Sequence, residues 1–318
     1  MEIAEQDGVV VATVDREEAE RHAWRDAEAS VDIVRLAESE SLDETALAGL
    51  GFVPRPRWIN WCALVRESAT EFEAALPGTE RRNARLGRRF VQEEGLRVSV
   101  RVGLTEELVD EFLTVYDRQI EAMPRGKNYA RRWRDRLLDA AGEHVGVSVH
   151  HGTRMIVGSL WWIRTEQSVL QMRFSAASPD ARASRVMRVA YLEAFQFARE
   201  SGLAFASLGN DPSLFGHVVQ PGLFTFKSRL GFTPVPSQVL DPRLAGEYAD
   251  RFLTLRSLSD PALVVTWGRH RGAPLSWPEA AQAPGHDLLV LSATPDEALK
   301  ARFRTQGFRD ARSVMVST

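Results

Sequence analysis

Cysteine is nearly absent from the sequence, since Cys62 is the only one among 318 residues. A lone cysteine excludes an internal disulfide and any metal site that needs several thiolates. Such sparse usage is typical of proteins from a reducing compartment. We therefore expect Cys62 to be packed in a strand.

Long apolar runs are missing as well. No stretch reaches the ~18 consecutive apolar residues that a membrane-spanning helix needs. The acidic start Met1-Glu2-Ile3-Ala4-Glu5 lacks the basic and apolar regions of a secretion signal. These absences predict a soluble, cytoplasmic protein with no membrane partner.

The sequence has no excess of positive charge. The formal net charge is −3 and the pI is near 6.2, so the chain as a whole does not attract polyanions. Any site for RNA or phosphate must come from a local basic patch. With 44% hydrophobic and 26% charged residues, the composition is that of an ordinary globular protein, and the length suits two domains.

Several familiar catalytic signatures are lacking. The sequence has neither a Walker-type phosphate loop nor a Ser-His-Asp signature, so phosphoryl transfer and covalent hydrolysis have little support. His150 and His151 precede Gly152 in a pattern that predicts a turn, and no further metal ligand stands at a useful spacing. We expect no metal site.

What the sequence does contain is a middle block, residues 70–236, in which helix and strand patterns alternate. Apolar residues recur every three to four positions in the predicted helices and alternate or run continuously in the predicted strands. The block is thus predicted to form a mixed α/β sheet. Its predicted elements are a basic helix near 70–92, a strand at 96–102, helices near 105–122 and 129–141, strands at 145–149, 155–163 and 168–174, a helix near 183–200 and a strand at 203–207. After 207 we expect a long polar loop, a short helix carrying Lys227, and a glycine stop at Gly231.

The two chain ends share a pattern that predicts a weak internal repeat of strand, helix, Gly-Phe step and strand. The first copy contains 32–36, 43–47, Gly51-Phe52 and 62–65, and the second contains 287–291, 296–299, Gly307-Phe308 and 313–316. Each end is short for a full domain, so pooling both into one sheet would bury their apolar faces. We therefore predict one domain from residues 1–68 plus 237–318 and a second from 69–236.

Short motifs follow one another in a recognisable order along the middle block. They are Glu71-Phe72, Leu76-Pro77, Glu80-Arg81-Arg82-Asn83, Glu111-Phe112-Leu113, Tyr116, Ser178-Pro179, Phe226-Lys227 and Gly231-Phe232. In this order they resemble the Fem-type branch of the GNAT superfamily. The resemblance implies an α/β fold of tandem GNAT-like domains with mixed central sheets, the first domain built from both chain ends. It also implies transfer of an amino acid from aminoacyl-tRNA to an amine.

The donor loop departs from the ordinary GNAT pattern. GNAT enzymes that use acetyl-CoA hold its pyrophosphate with backbone N–H groups of a Gly-rich turn at the start of the long helix. Here the turn is 178–187, in which Arg185 replaces a small residue, Pro179 has no N–H and Asp180 repels anions. These differences disfavour acetyl-CoA. The side chains of Arg182 and Arg185 are candidates to bind a donor phosphate, or they belong to a solvated helical turn.

Lys227 is the main catalytic candidate. Aminolysis of an ester or thioester passes through an oxyanion that a fixed cation stabilises. In Fem-type enzymes the matching Phe-Lys pair lies at the donor–acceptor site, which implies that Phe226 forms a wall or stacking surface. Asp211 and His217 precede this helix, and either is a candidate base for the attacking ammonium. The alternatives are an exposed lysine on an amphipathic turn, a turn or cap at Asp211, and a loop hydrogen bond at His217.

Other basic and aromatic residues are candidates for binding the donor or the acceptor. Arg81, Arg82 and Arg85 give the helix near residue 80 a positive face that suits a tRNA acceptor stem or a nucleotide diphosphate, or that is simply solvated and salt-bridged. Trp161 and Trp162 lie on one predicted strand, so alternation sends one ring to each face. We expect one ring in the core and Trp162 at the substrate cleft.

Together these features predict a Fem-like transferase that moves an aminoacyl or acyl group onto the amine of a small molecule or peptide. The donor is a co-substrate, aminoacyl-tRNA or acyl-CoA, and no tightly bound cofactor is expected. The absence of a coiled-coil arm favours the tailoring of a natural product over the synthesis of wall bridges. The alternatives are an acyl-CoA-dependent N-acyltransferase and a degenerate GNAT fold that binds a ligand without chemistry.

Overall fold

A computed structural model describes residues 1–123, 126–273, 276–283 and 285–317 of the chain. The chain forms two compact units. Unit 1 comprises Met1–Trp61, Asn210–Ser228 and Phe232–Thr318, and unit 2 comprises Cys62–Gly209 and Arg229–Gly231. In this division the segment 210–228, which the sequence places with the middle block, groups with the chain ends.

The strands of the described residues are, in chain order, β1 (Glu2–Gln6), β2 (Val9–Val14), β3 (Ile33–Leu36), β4 (Val53–Pro56), β5 (Trp58–Leu64), β6 (Arg97–Val102), β7 (His144–His151), β8 (Arg154–Arg164), β9 (Val169–Ala177), β10 (Phe205–Pro212), β11 (Leu214–Phe215), β12 (Thr233–Pro236), β13 (Glu247–Phe252), β14 (Ala262–Thr266), β15 (Asp287–Ser292) and β16 (Asp310–Met315). The helices are α1 (Arg16–Glu20), α2 (Glu44–Gly49), α3 (Ala69–Ala75), α4 (Gly78–Glu93), α5 (Glu106–Glu121), α6 (Tyr129–Arg132), α7 (Arg134–Asp139), α8 (Pro179–Ala183), α9 (Val186–Glu200), α10 (Pro221–Arg229), α11 (Glu279–Gln282) and α12 (Glu297–Ala301). No helix in these ranges is long and apolar enough to cross a bilayer.

The strands form three sheets with the orders β1-β2-β3-β13-β4, β12-β5-β10-β9-β8-β7-β6 and β11-β14-β15-β16. Each sheet mixes parallel and antiparallel pairs. The parallel pairs include β2 with β3, β9 with β10, and β15 with β16. The predicted α/β class with mixed sheets is confirmed.

Unit 1 packs the five-stranded and four-stranded sheets on a common apolar core. Val9, Val11 and Ile33 of the first sheet meet Val264 and Leu289 of the second. Both predicted repeat copies form strand, helix and strand. The expectation that they share one sheet was wrong, because β3 and β15 belong to different sheets. Two sheets packed against one core bury the apolar faces of both copies, which is what a pooled sheet would have achieved.

The five-stranded sheet has a second apolar face. Along β3, Val34 and Leu36 pack in a core with Trp24 and Leu47, whereas Ile33 packs in the core shared by the two sheets. Alternation therefore places Arg35 on the same face as Ile33.

Unit 2 is built on strands β6 to β9, which pair antiparallel in sequence order. Helix α5 covers one region of this sheet with a buried apolar stripe that includes Val109, Phe112 and Leu113. The predicted turn between β7 and β8 is confirmed, with Gly152 at φ +61. A positive φ is a conformation that glycine adopts without strain.

Two predicted helices are each divided in the structure. The predicted basic helix 70–92 is α3 followed by α4, because Leu76 is extended before Pro77, as the ring of a following proline requires. The predicted helix 129–141 is α6 followed by α7, with Trp133 between them. The predicted polar loop after residue 207 is also shorter than expected, since β10 continues to Pro212.

Helix α4 packs closely on the start of α9 through Gly87. A Cβ at this position would lie 2.9 Å from the Arg185 carbonyl oxygen and 3.1 Å from a Val189 methyl group. Gly87→Ala is therefore expected to lower the free energy of unfolding by about 1–3 kcal/mol, because backbone must move to accept the methyl group. Gly49→Ala, in α2 with nothing within 4 Å, is the matched control and is expected to raise stability by up to about 1 kcal/mol. Urea unfolding of both variants checks this, and equal effects would contradict it.

Candidate functional site

The catalytic candidate Lys227 lies on α10, and its partner is Asp211 near the end of β10. Lys227 Nζ donates to Asp211 Oδ2 over 2.8 Å. The two residues are only 4% and 6% exposed, respectively. The alternatives of an exposed lysine and of a capping aspartate are therefore wrong, and the structure brings together two of the predicted catalytic residues.

A third side chain completes this buried group. Trp61 Nε1 donates to the same Asp211 oxygen over 2.9 Å. The indole of Trp61 meets the Phe215 and Phe224 rings edge-on at 6.3 and 5.3 Å. We call Lys227, Asp211 and Trp61 the Lys–Asp–Trp group. Its surroundings are aromatic, so the charges interact in a region of low polarity.

A buried ion pair is poor at providing stability. Removing two charges from water costs several kcal/mol per ion, and well-packed apolar side chains of similar size often serve as well. The Lys–Asp–Trp group does, however, place an N–H donor, the Lys227 ammonium, next to an acceptor, the Asp211 carboxylate. These are the functions that aminolysis of an ester requires.

A polar network adjoins the Lys–Asp–Trp group along the strands. Asn60 Nδ2 donates to Asn210 Oδ1 over 2.7 Å, and Ser237 Oγ donates to the same oxygen over 2.9 Å. Our sequence reasoning missed Asn60 and Trp61. The signal was present, because an asparagine that interrupts an apolar strand is a buried polar group that needs partners.

The other two predicted catalytic residues have different surroundings. Phe226 is half-buried next to Lys227 on α10, while Phe224 is the ring on this helix that packs on Trp61 and stacks on Phe308 at 5.6 Å. His217 Nε2 donates to the Asp7 carbonyl oxygen over 2.9 Å. This is the loop hydrogen bond that the sequence offered as the alternative for His217.

In unit 2, several backbone amides of the donor loop make helical hydrogen bonds. The Ser178 side chain accepts from the Ala181 amide, and the Arg182 amide donates to the Ser178 carbonyl. The Ser184 and Arg185 amides likewise donate to carbonyl oxygens one turn earlier. The extra helix α8 thus occupies amides that a pyrophosphate cradle would present to a ligand.

Exposed arginines lie on this loop and on the neighbouring helix α4. Arg185 has φ +68 and turns the chain into α9, and its Nε donates to Asn83 Oδ1 of α4 over 2.9 Å. Arg82 and Arg85 are exposed on the outer side of α4, and Arg182 is exposed on α8. We call four of the exposed arginines of α4, α8 and the start of α9 the basic rim: Arg82, Arg85, Arg182 and Arg185.

Arg81 differs from the rim. Its Nη1 donates to the carbonyl oxygens of Ala74 and Leu76 over 3.1 and 2.8 Å. It therefore satisfies carbonyl groups at the end of α3, where lone pairs lack helical partners. The structure gives Arg81 a clear role in joining α3 to α4.

The two tryptophans of β8 are divided as alternation predicts. Trp161 is fully buried, whereas Trp162 is half-buried and donates from Nε1 to Glu143 over 3.1 Å. The guanidinium carbons of Arg164 and Arg173 lie 4.7 and 5.7 Å from the Trp162 ring. Trp162 thus belongs to a cation–π stack on the sheet of unit 2.

Cys62 is buried in β5, as expected, and burial raises the pKa of its thiol. A buried neutral thiol is a poor nucleophile. Over the described ranges, no three side chains among His, Cys, Asp and Glu come together in a way that could hold a metal ion.

Comparison with known proteins finds a family match for part of the chain. The acetyltransferase (GNAT) domain family matches residues 79–215. FemX is similar in structure at 13% identity and a TM-score of 0.43, covering 79% of this chain and 83% of that chain. L-PGS from Bacillus licheniformis is 13% identical with a TM-score of 0.42, covering 79% of each chain. No curated protein matches the sequence. The family match over residues 79–215 supports a GNAT fold for this part of the chain, as the order of the sequence motifs predicted.

Proposed function

We propose that this GNAT-fold protein is a Fem-like transferase that moves an aminoacyl group from aminoacyl-tRNA onto the amine of a small molecule or peptide, in the biosynthesis of a natural product. The observation that carries the proposal is the donor loop. The amides of Arg182, Ser184 and Arg185 are already hydrogen-bonded within the chain. A donor held by amides, as acetyl-CoA is, fits this loop poorly.

The basic rim supports a donor held by side chains. Four exposed guanidinium groups, on α4, on α8 and at the start of α9, offer charge-assisted hydrogen bonds to phosphate oxygens. A tRNA acceptor stem presents such oxygens along its backbone. The rim therefore supplies local positive charge on a chain whose net charge is −3.

The Lys–Asp–Trp group supports the transfer step. The amine nitrogen attacks the ester carbonyl carbon, and Lys227 Nζ donates to the oxyanion that forms. Asp211 accepts the proton that the attacking nitrogen loses. The bond to the ribose oxygen then breaks, and the proton ends on that oxygen as the leaving hydroxyl group. No covalent enzyme intermediate is required.

The donor can be tested by melting and binding. The melting temperature is expected to stay unchanged with saturating acetyl-CoA or free CoA, whereas a ligand at ~100 times its dissociation constant would add about 2.7 kcal/mol. Charged tRNA is expected to bind in a filter assay with a salt-dependent affinity. A clear rise of the melting temperature with acetyl-CoA would instead support an acyl-CoA-dependent N-acyltransferase.

Variants of the basic rim sharpen this test. The double substitution Arg82→Gln and Arg85→Gln is expected to weaken charged-tRNA binding and to reduce the slope of log affinity against log salt by about 1–2. Arg89→Gln is the matched control on the same helix, because Arg89 is exposed but paired with Glu93 at 2.7 Å. Equal loss in both variants would mean that binding is not directed by the rim.

A further inference from the structure

Three arginines and a tyrosine meet on one face of the five-stranded sheet in unit 1. In the strand register, Tyr248 lies opposite Arg55, and Asp250 lies opposite Arg35. Arg57 follows Arg55 by two residues. The guanidinium carbons of Arg35, Arg55 and Arg57 lie 3.5, 4.9 and 5.2 Å from the centre of the Tyr248 ring.

The charge of this cluster is not balanced by its carboxylate. Asp250 is fully buried and accepts hydrogen bonds from both Arg35 and Arg55, at 2.7–3.1 Å. Burial alone would raise the pKa of Asp250, but the two guanidinium groups outweigh it and hold that pKa below its usual value. The carboxylate is thus ionised, and one negative charge faces three positive ones. The next carboxylate, Glu247, is engaged by Arg271 at 3.0 Å.

The three arginines differ in how many of their guanidinium N–H groups already donate hydrogen bonds within the protein. Arg55 is 4% exposed, and its guanidinium donates to Asp250 and to Ser213. Arg35 is bidentate to Asp250, and its remaining Nη1 reaches Gln6 only at 3.4 Å. Arg57 is exposed, and the described part of the chain offers its guanidinium no carboxylate within 4.0 Å. The outer edge of the cluster therefore consists of Arg57 and one side of Arg35.

The backbone holds Arg57 in place. The Arg57 amide donates to the Gly246 carbonyl oxygen over 3.0 Å. A Cβ on Gly246 would lie 2.9 Å from Arg57 Cδ, and Gly246 has φ +115. The stem of Arg57 thus lies along a position that only glycine leaves open. An arginine that is positioned before it meets its ligand loses less conformational entropy on binding.

We propose that Arg57, Arg35 and Tyr248 form a binding site for the phosphate or diphosphate group of a small molecule. A guanidinium fork matches two oxygens of a tetrahedral phosphate, and the partly buried cluster retains uncompensated positive charge to attract a dianion. The ordered Tyr248 ring, stacked under Arg35, fixes the guanidinium plane. The site lies within unit 1 and does not depend on the donor that the protein uses.

Calorimetric titration with inorganic pyrophosphate tests the site. The wild-type protein is expected to bind pyrophosphate, and Arg57→Gln is expected to weaken binding about tenfold or more because it removes a charge-assisted pair of hydrogen bonds. This substitution leaves the Asp250 ion pairs intact, so the melting temperature is expected to stay unchanged. Arg243→Gln is the matched control, since Arg243 is exposed in the same unit but paired with Asp241 at 2.9 Å.

Two further arms separate the sources of the phosphate. The titration is repeated in the Arg82→Gln and Arg85→Gln background, which weakens the basic rim as a second phosphate site, and Arg57→Gln is expected to weaken pyrophosphate binding there as strongly as in the wild type. A short 5′-phosphorylated RNA is expected to bind no more tightly at this site than pyrophosphate. The inference is overturned if pyrophosphate does not bind, if Arg57→Gln binds it unchanged, or if only the RNA loses affinity in that variant.

Discussion

Lys227→Met is expected to abolish transfer and to lower the free energy of unfolding by about 3–5 kcal/mol. The substitution leaves the Asp211 carboxylate buried beside Trp61 without its cation, and an unpaired buried charge carries most of this cost. Urea unfolding measures the stability. Transfer of a labelled amino acid from charged tRNA to a mixture of small amines measures the turnover.

A second substitution separates chemistry from stability. Adding Asp211→Asn to Lys227→Met removes the stranded charge while keeping an oxygen that can accept from Trp61 Nε1. We expect the double variant to regain most of the lost stability but no turnover. Lys300→Met, at a half-buried lysine of unit 1 outside the Lys–Asp–Trp group, is the control and is expected to keep full turnover. Transfer by the double variant at the wild-type rate would show that the ion pair is structural.

Between pH 6.5 and pH 4 the protein is expected to lose about 3 kcal/mol of stability through His286. This side chain is 0% exposed, its Nδ1 donates to the Thr266 carbonyl over 2.7 Å, and the His270 ring lies 4.9 Å away. Burial, with a smaller contribution from His270, lowers the pKa of His286 to about 3. The folded state therefore keeps His286 neutral where the unfolded chain takes up a proton.

The sign of this effect follows from proton uptake. Below about pH 6.5 the unfolded state binds more protons than the folded state, so stability falls as the pH falls, by about 1.4 kcal/mol per unit. Urea unfolding at several pH values between 7.5 and 4 measures the slope. His286→Asn keeps a donor for Thr266 and removes the titration, so its slope is expected to be shallower. His151→Asn, at an exposed histidine, is expected to follow the wild-type curve, and parallel curves for wild type and His286→Asn would contradict the assignment.

Local patterns in the sequence were sufficient for some features of the molecule. The turn at Gly152, the core position of Trp161 and the packing of Cys62 in a strand all follow from alternation, glycine chemistry and composition. The order of motifs was sufficient to predict a GNAT fold for the middle block, which the family match over residues 79–215 supports. The break before α4 was missed although Pro77 marks it, because the apolar period on both sides was given more weight than the restriction that proline places on Leu76.

Tertiary structure decided what those residues can do. Lys227 and Asp211 were chosen from the sequence one by one, but only the fold shows that both are buried and share an oxygen with Trp61, a residue 150 positions before Asp211. The cluster at Asp250 joins arginines 195 and 215 residues away. The division of the repeat copies between two sheets is likewise set by the tertiary fold. By itself the sequence determined local conformation and the choice of fold, since these depend on neighbouring residues. Burial, ion pairing and the balance of charge at a site depend on chain segments that meet only in the folded protein.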